Sequence, residues 1–215
     1  MQRPHRFTVL LVMIVLITLL APLAVGLPGS RVILAVFGAL IPLGAIYAVS
    51  DDRRQIRIAL ALGIPAVLGG ALNQADLGFA GEWVALFFPP AFYAYAAWVT
   101  ARTVFSARRI DGDMLAAAAC IYFLIGFIWW FFYLLVVTFD PGAITGYDAS
   151  DPSGGFDLLY FSFVTLTTLG YGDILPASAE ARSLVTIESV TGVLYSGILI
   201  AKLVGLYSGQ VQSQD

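Results

Sequence analysis

The sequence predicts an all-α membrane protein. Six transmembrane helices are expected, with a half-length, re-entrant helix and a glycine-rich loop between helices 5 and 6. Composition is the first observation behind this: 60% of the 215 residues are hydrophobic and only 12% are charged. A soluble chain of this length needs many more polar residues to cover its surface. The second is the clustering of the charges between long uncharged runs. Run length is the third, because a hydrocarbon core about 30 Å thick requires roughly 20 residues of helix.

The runs cover residues 7–27, 32–49, 58–72, 83–101, 114–139 and 184–207. The third is short and rich in Gly and Ala, which suits a helix packed against neighbours. The fourth contains Pro89 and Pro90, expected to kink it, and is uncharged until Arg102. Arg3, Arg6, Arg53, Arg54, Arg57, Arg102, Arg108, Arg109 and Lys202 all fall on one side if the six runs alternate, and only Arg31 and Arg182 fall on the other. The positive-inside rule therefore places both termini in the cytoplasm of a multi-pass protein of the inner (plasma) membrane. A cleaved leader over the first run is the rival reading, since "MQRPHR" is basic and "APLA" resembles a processing site. The single cysteine, Cys120, lies inside the fifth run and reads as a small packing residue.

Between the fifth and sixth runs the pattern changes. "DPGAITGYDASDPSGG" is a turn-rich polar stretch that cannot continue a helix. "FDLLYFSFVTLTT" follows, with Asp157 expected as its N-cap, and gives a helix too short to cross the bilayer. "TLTTLGYGDILP" then puts non-helical backbone at membrane depth, which is tolerated only when protein buries it or when it lines a polar cavity. Gly170 and Gly172 reach left-handed conformations without steric cost, so a row of backbone carbonyls there can aim at one axis. Such carbonyls replace the hydration shell of a cation, and Thr168 adds a hydroxyl oxygen.

"TTLGYGD" is similar to the potassium-channel selectivity filter, and residues 114–207 resemble the pore module of the prokaryotic six-transmembrane potassium channel family. The resemblance implies that the carbonyls of Thr168, Leu169, Gly170 and Tyr171 coordinate potassium ions, with Gly172 completing the filter. Leu169 stands where the family most often has Val. Asp173 resembles the acid behind the filter, Tyr160 the aromatic that donates a hydrogen bond to it, and Thr167 a further supporting residue. Gly192 falls at the family's gating hinge. Gly197 on the same run is a second candidate for gating, and both glycines also fit small-residue packing. Glu188 is a third candidate, because a carboxylate inside a span marks function by default; it is expected either to hydrogen-bond Ser or Thr behind the short helix or to make opening sensitive to pH.

One loop per chain implies a homotetramer, since a ring of carbonyls needs four copies and no internal repeat is visible. Residues 1–109 are expected to form a voltage-sensor-like four-helix domain without an arginine-rich fourth helix, and residues 110–215 the pore domain. Between Arg109 and Arg182 the chain has no Lys or Arg, while Asp140, Asp148, Asp151, Asp157 and Asp173 lie there and favour cation entry. The single histidine, His5, lies in the N-terminal tail, and no span carries an Asp pair or a Ser beside a base, so an enzyme is not expected. Potassium ions and membrane lipids are the expected partners, with no cofactor and no nucleic acid.

Overall fold

The computed structural model describes residues 5–25, 27, 30–49, 53–74, 79–107, 110–148 and 154–212. Each apolar run forms the body of a helix. In chain order these are α1 (Arg6–Ala24), α2 (Ser30–Val49), α3 (Arg53–Gln74), α4 (Phe79–Ser106) and α5 (Gly112–Phe139). A two-residue strand β1 (Ile144–Thr145), the helix α6 (Gly154–Leu166), a second short strand β2 (Leu175–Pro176) and the helix α7 (Ala179–Gln212) complete the chain.

Among the described residues, four segments are long and apolar enough to cross a membrane: Arg6–Ala24, Trp83–Ser106, Gly112–Phe139 and Ala179–Leu206. In α2 the described apolar stretch is the shorter Val36–Ala48. Helix α3 is longer than its apolar run, because its first turns carry Arg53, Arg54 and Arg57. Helix α4 runs on through Pro89 and Pro90. Neighbouring helices in a membrane can re-satisfy the backbone groups that proline frees.

α5 is the hub of the molecule. It packs against α1, α4, α6 and α7, while α3 lies along α4 and α2 touches α1, α3 and α4. One apolar cluster links α1 to α5 through residues such as Leu10, Ile14, Phe92, Leu124 and Phe127. Cys120 is fully buried in it, its Sγ 3.5 Å from the Phe7 carbonyl. A second cluster gathers Tyr133, Ile144, Leu158, Phe161, Ile174 and Ala181 around the other end of α5.

Several contacts fix which helix ends lie together. The amides of Phe7 and Thr8 both donate to Asp113 Oδ1 at 3.0 Å, so an acid on α5 caps the exposed donors at the start of α1. Lys202 Nζ donates to the Phe105 carbonyl at 3.1 Å, joining the late part of α7 to the end of α4. Arg6, Ala48, Gln55 and Arg102 line one cavity of about 270 Å³, which brings the ends of α1, α2, α3 and α4 to the same place. Arg6, Arg102 and Lys202 thus lie toward one end of the helices; Arg3, Arg108 and Arg109 lie outside the described residues.

At the opposite end β1 pairs antiparallel with β2, Ile144 opposite Pro176 and Thr145 opposite Leu175. The Ala143 carbonyl accepts from the Ala177 and Ser178 amides at 2.8 and 3.2 Å, tying the loop after α5 to the start of α7. This small sheet was not anticipated in the sequence, where the stretch after α5 reads only as turn-rich and unable to continue a helix. The N-cap expected at Asp157 is a correction. α6 starts at Gly154, and Asp157 lies inside its first turn, where an acid complements the positive end of the helix dipole.

Candidate functional site

Helix α6 has 13 residues, about 20 Å of helix, which is too short to cross a hydrocarbon core. α5 holds it at three levels. Trp130 Nε1 donates to the Gly155 carbonyl at 2.7 Å near its start, Ser162 Oγ lies 2.8 Å from the Gly126 carbonyl at its middle, and Tyr122 Oη donates to the Leu166 carbonyl at 3.1 Å at its end. The helices approach closely at Gly126, where a Cβ would stand 2.6 Å from the Phe163 ring. Phe163 in turn sits edge-on to Phe123 and Phe127.

The chain leaves α6 by turning its amides back on the helix end. Thr167 N donates to the Phe163 carbonyl, Thr168 N to Thr165, and Leu169 N and Gly170 N both to Val164, at 2.9 to 3.4 Å. These bonds satisfy helix carbonyls that otherwise have no partner. Among the described residues none of residues 168–172 accepts a backbone hydrogen bond. Three alternate positions have left-handed backbone: Thr168 at φ 58°, Gly170 at 57° and Gly172 at 80°. At both glycines a Cβ would meet nothing within 4 Å, so conformation rather than crowding calls for glycine. At Thr168, expected from the sequence as a ligand, the left-handed backbone is a further finding. A β-branched residue at that φ stores roughly 1–3 kcal/mol of strain, and such outliers concentrate at functional sites.

Behind the loop, Tyr160 Oη donates to Asp173 Oδ2 at 2.8 Å, and the Tyr171 ring stacks on Tyr160 with centroids 6.4 Å apart and planes 8° apart. The hydrogen bond from Tyr160 holds the Asp173 carboxyl below its ordinary range, helped by the Asp173 and Ile174 amides and opposed by partial desolvation. Thr167 Oγ1 donates to the Phe163 carbonyl at 2.6 Å, so its hydroxyl closes the helix end. Leu169 and Tyr171 project from the chain, 55% and 67% exposed.

Helix α7 places the remaining candidates. Gly192 abuts the end of α6, where a Cβ would stand 1.9 Å from the Leu166 carbonyl oxygen. Only hydrogen fits at that point, so close packing accounts for this glycine. A Cβ at Gly197 would meet nothing within 4 Å. Glu188 is fully buried and faces Tyr133 on α5 and Ser162 on α6, both also fully buried. Thr168, Leu169, Gly170, Tyr171, Gly172 and Asp173 form one continuous loop, with Tyr160 and Thr167 directly behind it. Gly192 and Glu188 support the helix that delivers that loop, and Gly197 stands apart from both. Trp130, Tyr122 and Gly126, which anchor α6, were missed in the sequence. Aromatic and small residues on an apolar run carry no sign of which neighbour they meet.

This arrangement of short helix, carbonyl-bearing loop and long helix coincides with a known sequence family. Residues 118–208 match the Ion channel family. That family consists of channels and is not an enzyme family. Part of the chain is 40% identical over 75 residues to two pore potassium channel b of Oryza sativa subsp. japonica, covering 32% of this chain and 22% of that protein. Two-pore potassium channel 1 of Arabidopsis thaliana is 42% identical over 50 residues, 23% of this chain and 14% of the relative. Two-pore potassium channel 4 of the same plant is 40% identical over 48 residues, 22% and 17% of the two chains. The chain thus spans less than a quarter of the length of these relatives. No solved structure matches it significantly.

Proposed function

We propose that the protein is a potassium-selective channel in which four copies place their 168–172 loops around one axis, so that the carbonyls of Thr168, Leu169, Gly170 and Tyr171 replace the water of a passing potassium ion. The observation that carries this reading is the backbone of the loop. Its amides turn back to α6, its carbonyls are left without partners among the described residues, and left-handed positions alternate at Thr168, Gly170 and Gly172. Such a row of oxygen dipoles suits a bare monovalent cation, and one chain supplies a single row.

Two further features support it. Ile187, Val190, Leu194 and Ile198 recur at helical spacing on α7 and are each more than half exposed in the single chain, a face for neighbouring copies to cover. The basic residues gathered at one end, with Asp140, Asp157 and Asp173 toward the other, fit a six-span topology with both termini cytoplasmic and α6 re-entering from outside. In this reading residues 110–215 are the pore domain, and residues 1–109 are a voltage-sensor-like bundle that lacks a row of arginines. Potassium is the cargo, and no cofactor takes part.

Flux into proteoliposomes holding the purified full chain tests the reading, with sodium and barium as comparisons. Potassium-selective, barium-sensitive flux is expected, reduced at least about tenfold by Gly172→Ala, because alanine resists the left-handed backbone. Equal sodium flux overturns the selectivity assignment, and no flux in any lipid or at any pH overturns conduction itself. Native mass spectrometry in mild detergent is expected to give four copies; another stoichiometry removes the ring.

A further inference from the structure

Glu188, Tyr133 and Ser162 are each 0% exposed where α5, α6 and α7 meet. The Tyr133 hydroxyl donates to Glu188 Oε2. Ser162 Oγ lies 2.6 Å from Glu188 Oε1 and 2.8 Å from the Gly126 carbonyl oxygen, so it is within hydrogen-bond reach of both. Serine has a single hydroxyl proton. If Glu188 is ionised, both of these neighbours only accept, and one close oxygen pair is left with no proton between them.

A neutral acid closes the count. Glu188 Oε1–H donates to Ser162 Oγ, Ser162 passes its own proton to the Gly126 carbonyl, and Tyr133 donates to Oε2. Every close contact then holds one proton. Charge points the same way. Among the described residues no basic side chain bonds to Glu188, and the chain has no Lys or Arg between Arg109 and Arg182. Arg182 Nε donates instead to the Pro176 carbonyl. The nearby Tyr122 hydroxyl is committed to the Leu166 carbonyl. Among the described residues an ionised carboxylate in this place has no compensating cation, a costly state for a buried charge.

We propose that Glu188 is a neutral carboxylic acid that positions α6, joining α7 to α6 and α6 to α5 through one continuous chain of donors. Since α6 ends at Leu166 and delivers residues 167–172, this chain sets where the loop carbonyls stand. The effect on conduction rests on the channel reading, whereas the proton and the placement of α6 do not.

Infrared difference spectroscopy of the full chain against Glu188→Gln at neutral pH reads the proton. The protonated carboxylic C=O stretch is expected to vanish in the variant, and loss of carboxylate bands instead overturns the neutral acid. Hydrogen exchange reads the positioning. The α6 amides are expected to keep their protection in Glu188→Gln, whose amide can donate to Ser162 and accept from Tyr133, and to exchange at least about tenfold faster in Glu188→Leu and in Ser162→Ala. Unchanged exchange in the Leu and Ala variants overturns the positioning role, as does a Gln variant as perturbed as Leu. Potassium flux of the same proteins is expected to follow the exchange. Wild type without flux counts against the channel reading alone, because the band and the exchange are read without it.

Discussion

At the scale of single residues, the loop combines left-handed backbone with carbonyls that accept no backbone hydrogen bond among the described residues. Gly170 and Gly172 were legible from the sequence because glycine is the residue that takes such backbone at no cost. The left-handed backbone of Thr168 was not, because a β-branched residue disfavours it; its amide turns back onto the Thr165 carbonyl. Asp173 gives a prediction in pH. Its folded carboxyl titrates below the unfolded one, so its contribution to stability is complete above the unfolded range, about 4, and is lost as pH falls through the lower folded value. Tyr160→Phe removes the main cause of that shift. The variant is expected to melt at lower temperature than wild type near neutrality and to converge with it in strong acid, measured by thermal denaturation in detergent across pH. Parallel profiles at all pH values overturn the assignment.

At the scale of elements, α6 depends on its attachments, since 13 residues of isolated helix are marginal in stability. Trp130→Phe removes the 2.7 Å bond to the Gly155 carbonyl and is expected to lower stability by about 0.5–1.5 kcal/mol in chemical denaturation. The glycines of α7 make a paired test. Gly192→Ala drives a methyl group into the Leu166 carbonyl and is expected to cost about 1–3 kcal/mol by overpacking, with slower potassium flux because the loop follows directly from Leu166. Gly197→Ala meets open space, so the better helix propensity of alanine is expected to leave stability unchanged or to raise it by up to about 1 kcal/mol. If the two variants behave alike in melts, α6 and α7 do not meet at Gly192.

At the scale of the whole molecule, the N-terminal bundle is expected, on the channel reading, to offer the membrane field little to act on. Residues 83–101 of α4 carry no charge, and Arg102 at its end stacks over the Trp98 ring at 4.7 Å. Replacing Arg102, Arg108 and Arg109 together by Gln is expected to change the apparent gating charge by less than about one elementary charge per subunit in voltage-clamped bilayers. A larger loss identifies α4 as a voltage sensor. The capping of α1 by Asp113 gives the bundle another task, because it holds the first helix to the start of α5 and so to the helix that suspends α6.

The sequence by itself determined the membrane class, the apolar runs that become helices, the half-length helix and the glycine positions of the loop. Each follows from local quantities: run length against bilayer thickness, charge placement, and the conformational freedom of glycine. Tertiary structure alone decided that Asp113 caps α1, that Asp157 stands inside α6, that Trp130, Tyr122 and Gly126 carry α6, and that Glu188 meets Ser162 and Tyr133. These pairs are separated by 25 to 106 positions where the separation is between side chain and partner, as in Trp130 with Gly155 and Asp113 with Phe7. Along uniformly apolar helices every face looks alike in the sequence, so only the packing of one helix on another selects which polar groups must find each other.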